Sequence, residues 1–230
     1  AWAYLPCDEL AGDFLNVFAL DEKHVAVYVV DVSGHGVASS LLSVTIGRLL
    51  TPHVSTSSLL VQKREGSEGV RITPPAEVAS ELNRRFPMDE QNDMYFTMAY
   101  GVLNLETLEL RFVSAGHDPF VHVSGSGVPQ MVKGNGVAIG WFDEMEYDEH
   151  QLTLQPGDRL FIYSDGVPEA MNQELNQFTM QQMMEIIELG QSQSLDDSVS
   201  LLLTSVKRWC AANGPKDDVS ILALEITAHG

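Results

Sequence analysis

The sequence predicts an α+β protein, because of the order of its elements, its composition and the absence of nucleotide-fold signatures. Apolar, β-branched runs and helical patterns follow the order strand, strand, helix, helix, a run of strands, two helices and a last strand. Helices grouped with antiparallel strands are typical of α+β proteins. The chain has 230 residues, 44% of them hydrophobic, and can bury a substantial core. It contains neither an internal repeat nor a glycine-rich phosphate loop.

The first third of the chain alternates strands and helices. Residues 2–4 are strand-like, and residues 23–30 form an apolar run that predicts a buried strand. Residues 38–50 predict a helix that is apolar on most sides, so we expect it to be interior. Residues 51–73 show no periodicity and predict a long loop, whereas residues 75–86 predict a second helix that starts at a proline and ends before another.

The middle of the chain predicts a meander of three β-hairpins. Their turns contain Glu106-Thr107, a Ser-Gly repeat and a Gln-Pro-Gly-Asp sequence. The strand pairs are residues 94–103 with 108–114, 120–123 with 128–132, and 151–154 with 159–164. Thr179 and Ser194 are placed to cap two further helices, and residues 219–226 form the last predicted strand.

Charge and cysteine content exclude several classes of function. The formal net charge of −19 disfavours a nucleic-acid partner, since no basic stripe is present to neutralise phosphates. Cys7 and Cys210 have no spacing typical of a disulfide framework or a zinc site. The sequence shows no membrane-spanning run and no signal peptide, so we predict a cytoplasmic domain. We also expect residues 1–230 to be a single catalytic domain excised from a longer chain with an upstream regulatory region.

Four short acidic motifs are the strongest functional signal. They contain Asp13, Asp31, Asp165 and the Asp217-Asp218 pair, and three of them adjoin predicted strands. A single Asp-Gly is usually a turn former. Carboxylates gathered at one end of a sheet, however, repel one another unless a cation lies among them. Oxygen ligands favour Mg²⁺, Mn²⁺ or Ca²⁺ over zinc, and two such ions can acidify a shared water for attack on phosphorus.

Six short motifs follow one another along almost the whole chain, and they begin at Glu9, Asp31, Ala115, Pro156, Ser164 and Asp217. In this order they resemble the motifs of the bacterial type 2C protein serine/threonine phosphatases, in the branch related to stage II sporulation protein E. The resemblance implies a four-layer α/β/β/α sandwich with two central antiparallel sheets and two Mn²⁺ or Mg²⁺ ions at one end.

The resemblance also implies a role for individual residues. Asp13 would bind the second metal ion, Asp31 would bridge both ions, and the carbonyl of Val32 would add a ligand. Asp165 and Asp217 would complete the first site. The catalytic and metal-binding set is therefore expected to be these five residues.

Several neighbouring residues have two interpretations. Asp218 is the less certain member of its pair, and Glu9 is expected to lie outside the ligand set. His35 and His117 are candidates for direct chemistry, with a role in loop structure as the default. The phosphate-binding arginine of the eukaryotic enzymes has no counterpart ahead of Asp13, so the metals would neutralise most of the charge.

The resemblance implies that the chain hydrolyses phosphoserine or phosphothreonine in a partner protein, with an anti-sigma-factor antagonist as the usual substrate of this branch. It further implies an upstream sensor or receiver domain, a switch formed by the helices at residues 38–50 and 75–86, and a homodimer. The alternatives are a weak pseudo-phosphatase that binds phosphoproteins, and a Ca²⁺-binding domain. The latter lacks the spaced Asp-x-Asp-x-Asp-Gly loop of such sites.

Overall fold

Two five-stranded antiparallel sheets form the centre of the molecule. The computed structural model describes residues 1–7, 10–34, 36–53, 58–63, 70–88, 93–125 and 127–227. Its helices are α1 (Val37–Leu49), α2 (Pro75–Arg85), α3 (Thr179–Leu189) and α4 (Leu195–Cys210). Its strands are β1 (Trp2–Leu5), β2 (Phe14–Ala19), β3 (His24–Val32), β4 (Val61–Lys63), β5 (Val70–Ile72), β6 (Phe96–Asn104), β7 (Glu109–Ala115), β8 (Phe120–Val123), β9 (Pro129–Val132), β10 (His150–Thr153), β11 (Arg159–Tyr163) and β12 (Val219–Glu225).

Each sheet collects strands from distant parts of the chain. One sheet, here called the first sheet, has the order β10-β7-β6-β3-β2, and the second sheet has the order β1-β12-β11-β8-β9. Strands β4 and β5 form a separate two-stranded sheet. Helices α1 and α2 pack against the first sheet, whereas α3 and α4 pack against the second. The predicted α/β/β/α sandwich is therefore confirmed.

The pleat of β3 explains the layering. Val27 and Val29 point toward the second sheet and belong to the core between the sheets. Ala26, Tyr28 and Val30 point the other way, into the core shared with α1 and α2. Because successive side chains of a strand face opposite sides, a strand in a central layer must be apolar at every position. The continuous apolar run in the sequence is thus the signature of a central strand.

The prediction that the helix at residues 38–50 is interior is wrong. Helix α1 buries Leu42 and Ile46 against the first sheet, but Val37, Leu41 and Val44 are 63%, 63% and 60% exposed. The helix forms an outer layer, and its second apolar face is largely exposed among the described residues. Composition alone could not distinguish an interior helix from one with two apolar faces.

Two further predictions differ from the structure. The segment at residues 51–73 is not a plain loop, because β4 and β5 pair within its described part and Leu60 is fully buried. The third predicted hairpin does not exist, since β10 pairs with β7 whereas β11 lies between β8 and β12. The Gln-Pro-Gly-Asp turn is present, with the Asp158 amide donating to Gln155 O at 2.9 Å, but it carries the chain from one sheet to the other.

Candidate active site

Three of the four acids in the predicted site line one cleft. Asp31, Asp165 and Asp217 face a cavity of about 560 Å³ at one end of the sandwich. Asp31 lies near the end of β3 in the first sheet. Asp165 follows β11 and Asp217 precedes β12, and these two strands are antiparallel neighbours in the second sheet. The end of one strand and the start of the next therefore meet at the same edge.

Asp13 lies behind these three residues. Its side chain is buried, accepts a hydrogen bond from Ser220 Oγ at 2.8 Å, and lines a different cavity of about 580 Å³ together with Trp2 and Tyr4. Burial, followed by the charge of Asp31, raises the pKa of Asp13 well above its usual range. The charges of Asp13 and Asp31 therefore repel each other, although Asp13 does not line the cleft.

Burial and mutual repulsion disfavour the ionised form of the cleft carboxyls. Burial raises the pKa of Asp31 to about 6, and the charge of Asp217 adds to the rise, whereas a hydrogen bond with Asp13 opposes it. Burial also raises the pKa of Asp165 to about 7, with further contributions from Asp31 and Asp217. Among the described residues that line the cleft, none is Lys or Arg. A bound cation would offset this concentration of negative charge.

The donor set fits a hard divalent cation in chemistry and in charge. Val32 lies in the cleft beside Asp31, and a side chain at Gly12 would come within 2.8 Å of the Val32 carbonyl oxygen. The glycine therefore leaves room around that carbonyl. Among the residues that the structure describes, no group of three or more His, Cys, Asp or Glu side chains lies close enough together to hold an ion. The oxygens thus share a cleft without forming a closed ligand shell.

Asp217 and Asp218 occupy different environments. Asp217 is exposed and lines the cleft, whereas Asp218 is buried, with 4% of its surface accessible. The carboxylate of Asp218 accepts hydrogen bonds from the amides of Cys7 at 2.9 Å, Gly12 at 2.9 Å and Asp13 at 3.3 Å. Asp218 therefore fixes the segment that carries Asp13 rather than facing the cleft.

Of the two histidines in the sequence motifs, the structure describes His117 but not His35. His35 lies outside the described residues, as does Glu9. His117 is buried between the sheets: its Nδ1 lies 2.7 Å from Thr97 Oγ1 and its Nε2 lies 2.9 Å from the Tyr163 carbonyl. A carbonyl only accepts, so Nε2 carries the proton and Nδ1 accepts from Thr97. Both ring nitrogens are occupied, which matches a structural role.

Other residues around the cleft were not identified from the motifs. Tyr95, Trp141 and Phe142 line it beside the acids, and the Tyr95 and Trp141 rings stack with centroids 5.0 Å apart. An adjoining cavity of about 360 Å³ adds Asp118 and Glu169. In the sequence, only the adjacent pair Trp141-Phe142, which lies in a segment without a strand or helix pattern, could have indicated the aromatic side of the cleft.

Comparison with known proteins identifies the class and then the family. The SiaA-PP2C domain of Pseudomonas aeruginosa has a TM-score of 0.78 at 18% identity, covering 98% of this chain and 85% of that one. RsbX in complex with magnesium has a TM-score of 0.64 at 19% identity, covering 96% and 92%. The fold is that of the type 2C phosphatases.

The profile of the stage II sporulation protein E (SpoIIE) family matches residues 21–227, and the chain belongs to that family. Phosphoserine phosphatase RsbP of Bacillus subtilis is 23% identical over 227 residues, which cover 97% of this chain and 51% of RsbP. The chain thus spans about half the length of this curated relative. The membership predicted from the six motifs is confirmed.

Substitutions of Asp217 and Asp218 test whether only Asp218 stabilises the fold. We expect Asp218→Asn to lower the free energy of unfolding by about 2 kcal/mol or more, because the amide nitrogen of Asn would face backbone N–H donors. Asp217→Asn should not lower stability, since Asp217 is exposed, Asn keeps an acceptor for the Asp218 amide, and the lost charge relieves repulsion with Asp31 and Asp165. Urea unfolding of both variants measures the difference, and equal losses would contradict the assignment.

The buried imidazole provides a pH test. Burial lowers the pKa of His117 to about 4, below the value of about 6.5 for an exposed histidine. Between these values the unfolded chain binds a proton that the folded chain does not, so this residue makes stability fall as pH decreases from about 7 to about 4. The effect cannot exceed about 1.4 kcal/mol per pH unit.

The His117→Gln variant isolates this contribution, because glutamine can still accept from Thr97 and donate to the Tyr163 carbonyl. We expect the stability advantage of the parent protein over the variant to be largest at pH 7.5 and smaller at pH 5. Urea unfolding at the two pH values measures it. Parallel pH dependences of parent and variant would show that His117 does not remain neutral in the folded state.

Proposed function

We propose that this chain hydrolyses phosphoserine or phosphothreonine in a partner protein with the help of two Mn²⁺ or Mg²⁺ ions. The observation that carries the proposal is the cleft in which Asp31, Asp165 and Asp217 converge from two sheets without a basic side chain among the described lining residues. Membership of the SpoIIE family and the name of its relative RsbP, a phosphoserine phosphatase, support the reaction class. The magnesium in RsbX supports the class of metal.

In this proposal Asp31, Asp165, Asp217 and the Val32 carbonyl would hold the ions, and Asp13 would add a ligand to the second ion. When bound, the ions supply positive charge toward the phosphate and acidify a water molecule. The carboxylates orient that centre, and the buried Asp218 and Ser220 fix the position of Asp13 through hydrogen bonds. Because the described lining contains no Lys or Arg, phosphate binding should depend strongly on metal supply.

The substrate and the regulation are proposed from the family resemblance. The substrate would be a small phosphoprotein of the anti-sigma-factor antagonist class, and an upstream sensor or receiver domain would control residues 1–230 as one catalytic domain. None of the helices in the described part of the chain is long and apolar enough to cross a membrane. A cytoplasmic location remains a prediction.

Metal-dependent phosphate release tests the activity. We expect hydrolysis of a phosphoserine protein in the presence of Mn²⁺ or Mg²⁺ and none after chelation, measured as released inorganic phosphate. Asp31→Asn and Asp165→Asn should each lower kcat by about 100-fold or more, since each removes a charge that positions the reacting centre. Asp196→Asn, which alters an exposed acid in the first turn of α4, should retain activity.

Two results would contradict the proposed activity or site. Full metal-dependent activity in Asp31→Asn would contradict the proposed site. Phosphoprotein binding without hydrolysis by the unmodified chain, at every metal concentration, would instead support the pseudo-phosphatase.

We also propose a homodimer that contacts the exposed face of α1. Val37, Leu41 and Val44 recur at helical spacing and form an apolar stripe that the described residues leave uncovered. If a second copy covers this stripe, Leu41→Glu should shift the protein toward the monomer, because it would place a charge in the interface. Val128→Glu, at an exposed valine near the edge of the second sheet, is the matched control. Sedimentation equilibrium measures the association, and equal behaviour of both variants would exclude this interface.

A further inference from the structure

An aromatic wall stands beside the acids of the cleft. It is formed by Tyr95, Trp141 and Phe142, here called the aromatic shelf, and all three residues line the same cavity as Asp31. Trp141 is 50% exposed and Phe142 is 57% exposed. Large apolar side chains left uncovered at the edge of a polar site commonly mark a contact surface. The cleft therefore has a chemical side and an apolar side.

The shelf is held in place by the fold. The side chain of Asn83 on α2 is buried, donates from Nδ2 to the Phe142 carbonyl at 2.9 Å and accepts from the Gly140 amide at 2.8 Å. Gly140 has a φ of +94°, and a Cβ there would lie 2.6 Å from the Phe86 carbonyl oxygen. The turn that carries Trp141 and Phe142 is thus fixed by the hydrogen bonds of Asn83 and by its close packing against the Phe86 carbonyl. A surface held in this way costs little conformational entropy on binding.

The shelf is also joined to the loop that follows Asp31. The Ser33 amide donates to the Tyr95 carbonyl at 2.9 Å, and the Tyr95 amide donates to Ser33 Oγ at 3.0 Å. This reciprocal pair sets the position of the shelf relative to the acids. A substrate segment whose phosphate reaches the acids would therefore meet the rings at a fixed offset along its chain.

Charge around the shelf restricts what it can bind. The segment directly after Phe142 carries four exposed acids, namely Asp143, Glu144, Glu146 and Asp148. Together with the cleft carboxylates, these acids repel an acidic segment. The rings themselves offer apolar area and no cationic group. An apolar side chain covers the exposed area of the rings without the cost of removing a charge from water. A basic side chain would be attracted by the acids and is the competing occupant.

We propose that the aromatic shelf determines substrate specificity by binding a large apolar side chain that flanks the phosphoserine of the partner protein. This inference rests on the proposed phosphatase function and identifies the sequence context of its substrate. Acidic residues on the same side of the phosphoserine are excluded by the acids that follow Phe142.

A phosphopeptide series tests the proposal. The parent peptide carries one phosphoserine between three glycines on each side, and each glycine is replaced in turn by Leu, Arg or Asp. With Mn²⁺ present, we expect Leu at one or two positions to raise kcat/KM over the parent peptide by about tenfold or more, which is typical of one apolar side chain in a pocket. Asp at those positions should lower it.

Variants assign the preference to the shelf. In Trp141→Ala and Phe142→Ala, the ratio of kcat/KM for the Leu peptide to that for the parent peptide should fall toward one. Val128→Ala, at an exposed valine far along the second sheet from the cleft, should keep the ratio. The ratio is measured within each variant, so a general loss of activity does not affect it.

Binding without turnover separates this proposal from the phosphatase activity. Trp141 fluorescence, taken as the difference between the parent protein and Trp141→Phe, should change on addition of the Leu peptide. Such a change without hydrolysis would support the shelf and contradict the proposed activity, whereas hydrolysis without a Leu preference would overturn the shelf and leave the activity standing. A larger gain from Arg than from Leu would also overturn the proposal, because the rings would then bind a cation. Neither binding nor hydrolysis would contradict both.

Discussion

The repulsion among carboxylates at one end of the sandwich is the constraint on which the site depends. Asp31, Asp165 and Asp217 share one cleft, Asp13 is coupled to it from behind, and the described cleft lining supplies no basic side chain. The raised pKa values of Asp31, about 6, and Asp165, about 7, express the energy stored by burial and crowding. Other contacts in the fold must therefore hold the acids in place. A cation that binds in the cleft would lower the electrostatic energy of the acids by offsetting their repulsion.

Hydrogen bonds of Asp218, Ser220 and His117 stabilise the backbone around the cleft. Asp218 uses its carboxylate to bind three backbone amides of the segment that carries Asp13, so a negative charge is satisfied without a positive side chain. Ser220 donates to Asp13, and His117 links Thr97 in the first sheet to the Tyr163 carbonyl in the second. In each case the supporting residue lies within a few positions of a strand end. Asp217, which faces the cleft, is thus followed within three residues by Asp218 and Ser220, which hold Asp13 and its segment in place.

This arrangement explains why sequence reasoning found the acids but misplaced other parts of the fold. Whether a carboxylate lies near a strand end depends on local pattern, and the apolar run at residues 23–30 predicts the end of β3 to within two residues of Val32, where the strand stops. The sequence of α1 predicts an interior helix because it is apolar on two faces, and only tertiary packing decides which face is covered. The strands β10 and β11 were paired as a hairpin because a Pro-Gly turn joins them, although each finds its partner in a different sheet. Pairing between distant strands is a nonlocal property that a turn sequence does not encode.

The aromatic shelf was missed for a related reason. Tyr95 and Trp141 are far apart in the sequence, and the pairing of Ile139 with Phe96, the first residue of β6, brings their rings together. In the proposed function the acids would face a phosphate group that every phosphoserine substrate shares, so they could not distinguish one partner protein from another. Discrimination has to come from surfaces that meet the residues around the phosphate. Ser33 joins the shelf to the loop after Asp31, which holds the rings at a fixed position relative to the acids. If the shelf recognises the substrate as proposed, recognition and chemistry would depend on the same loop, and a shift of that loop would alter both together.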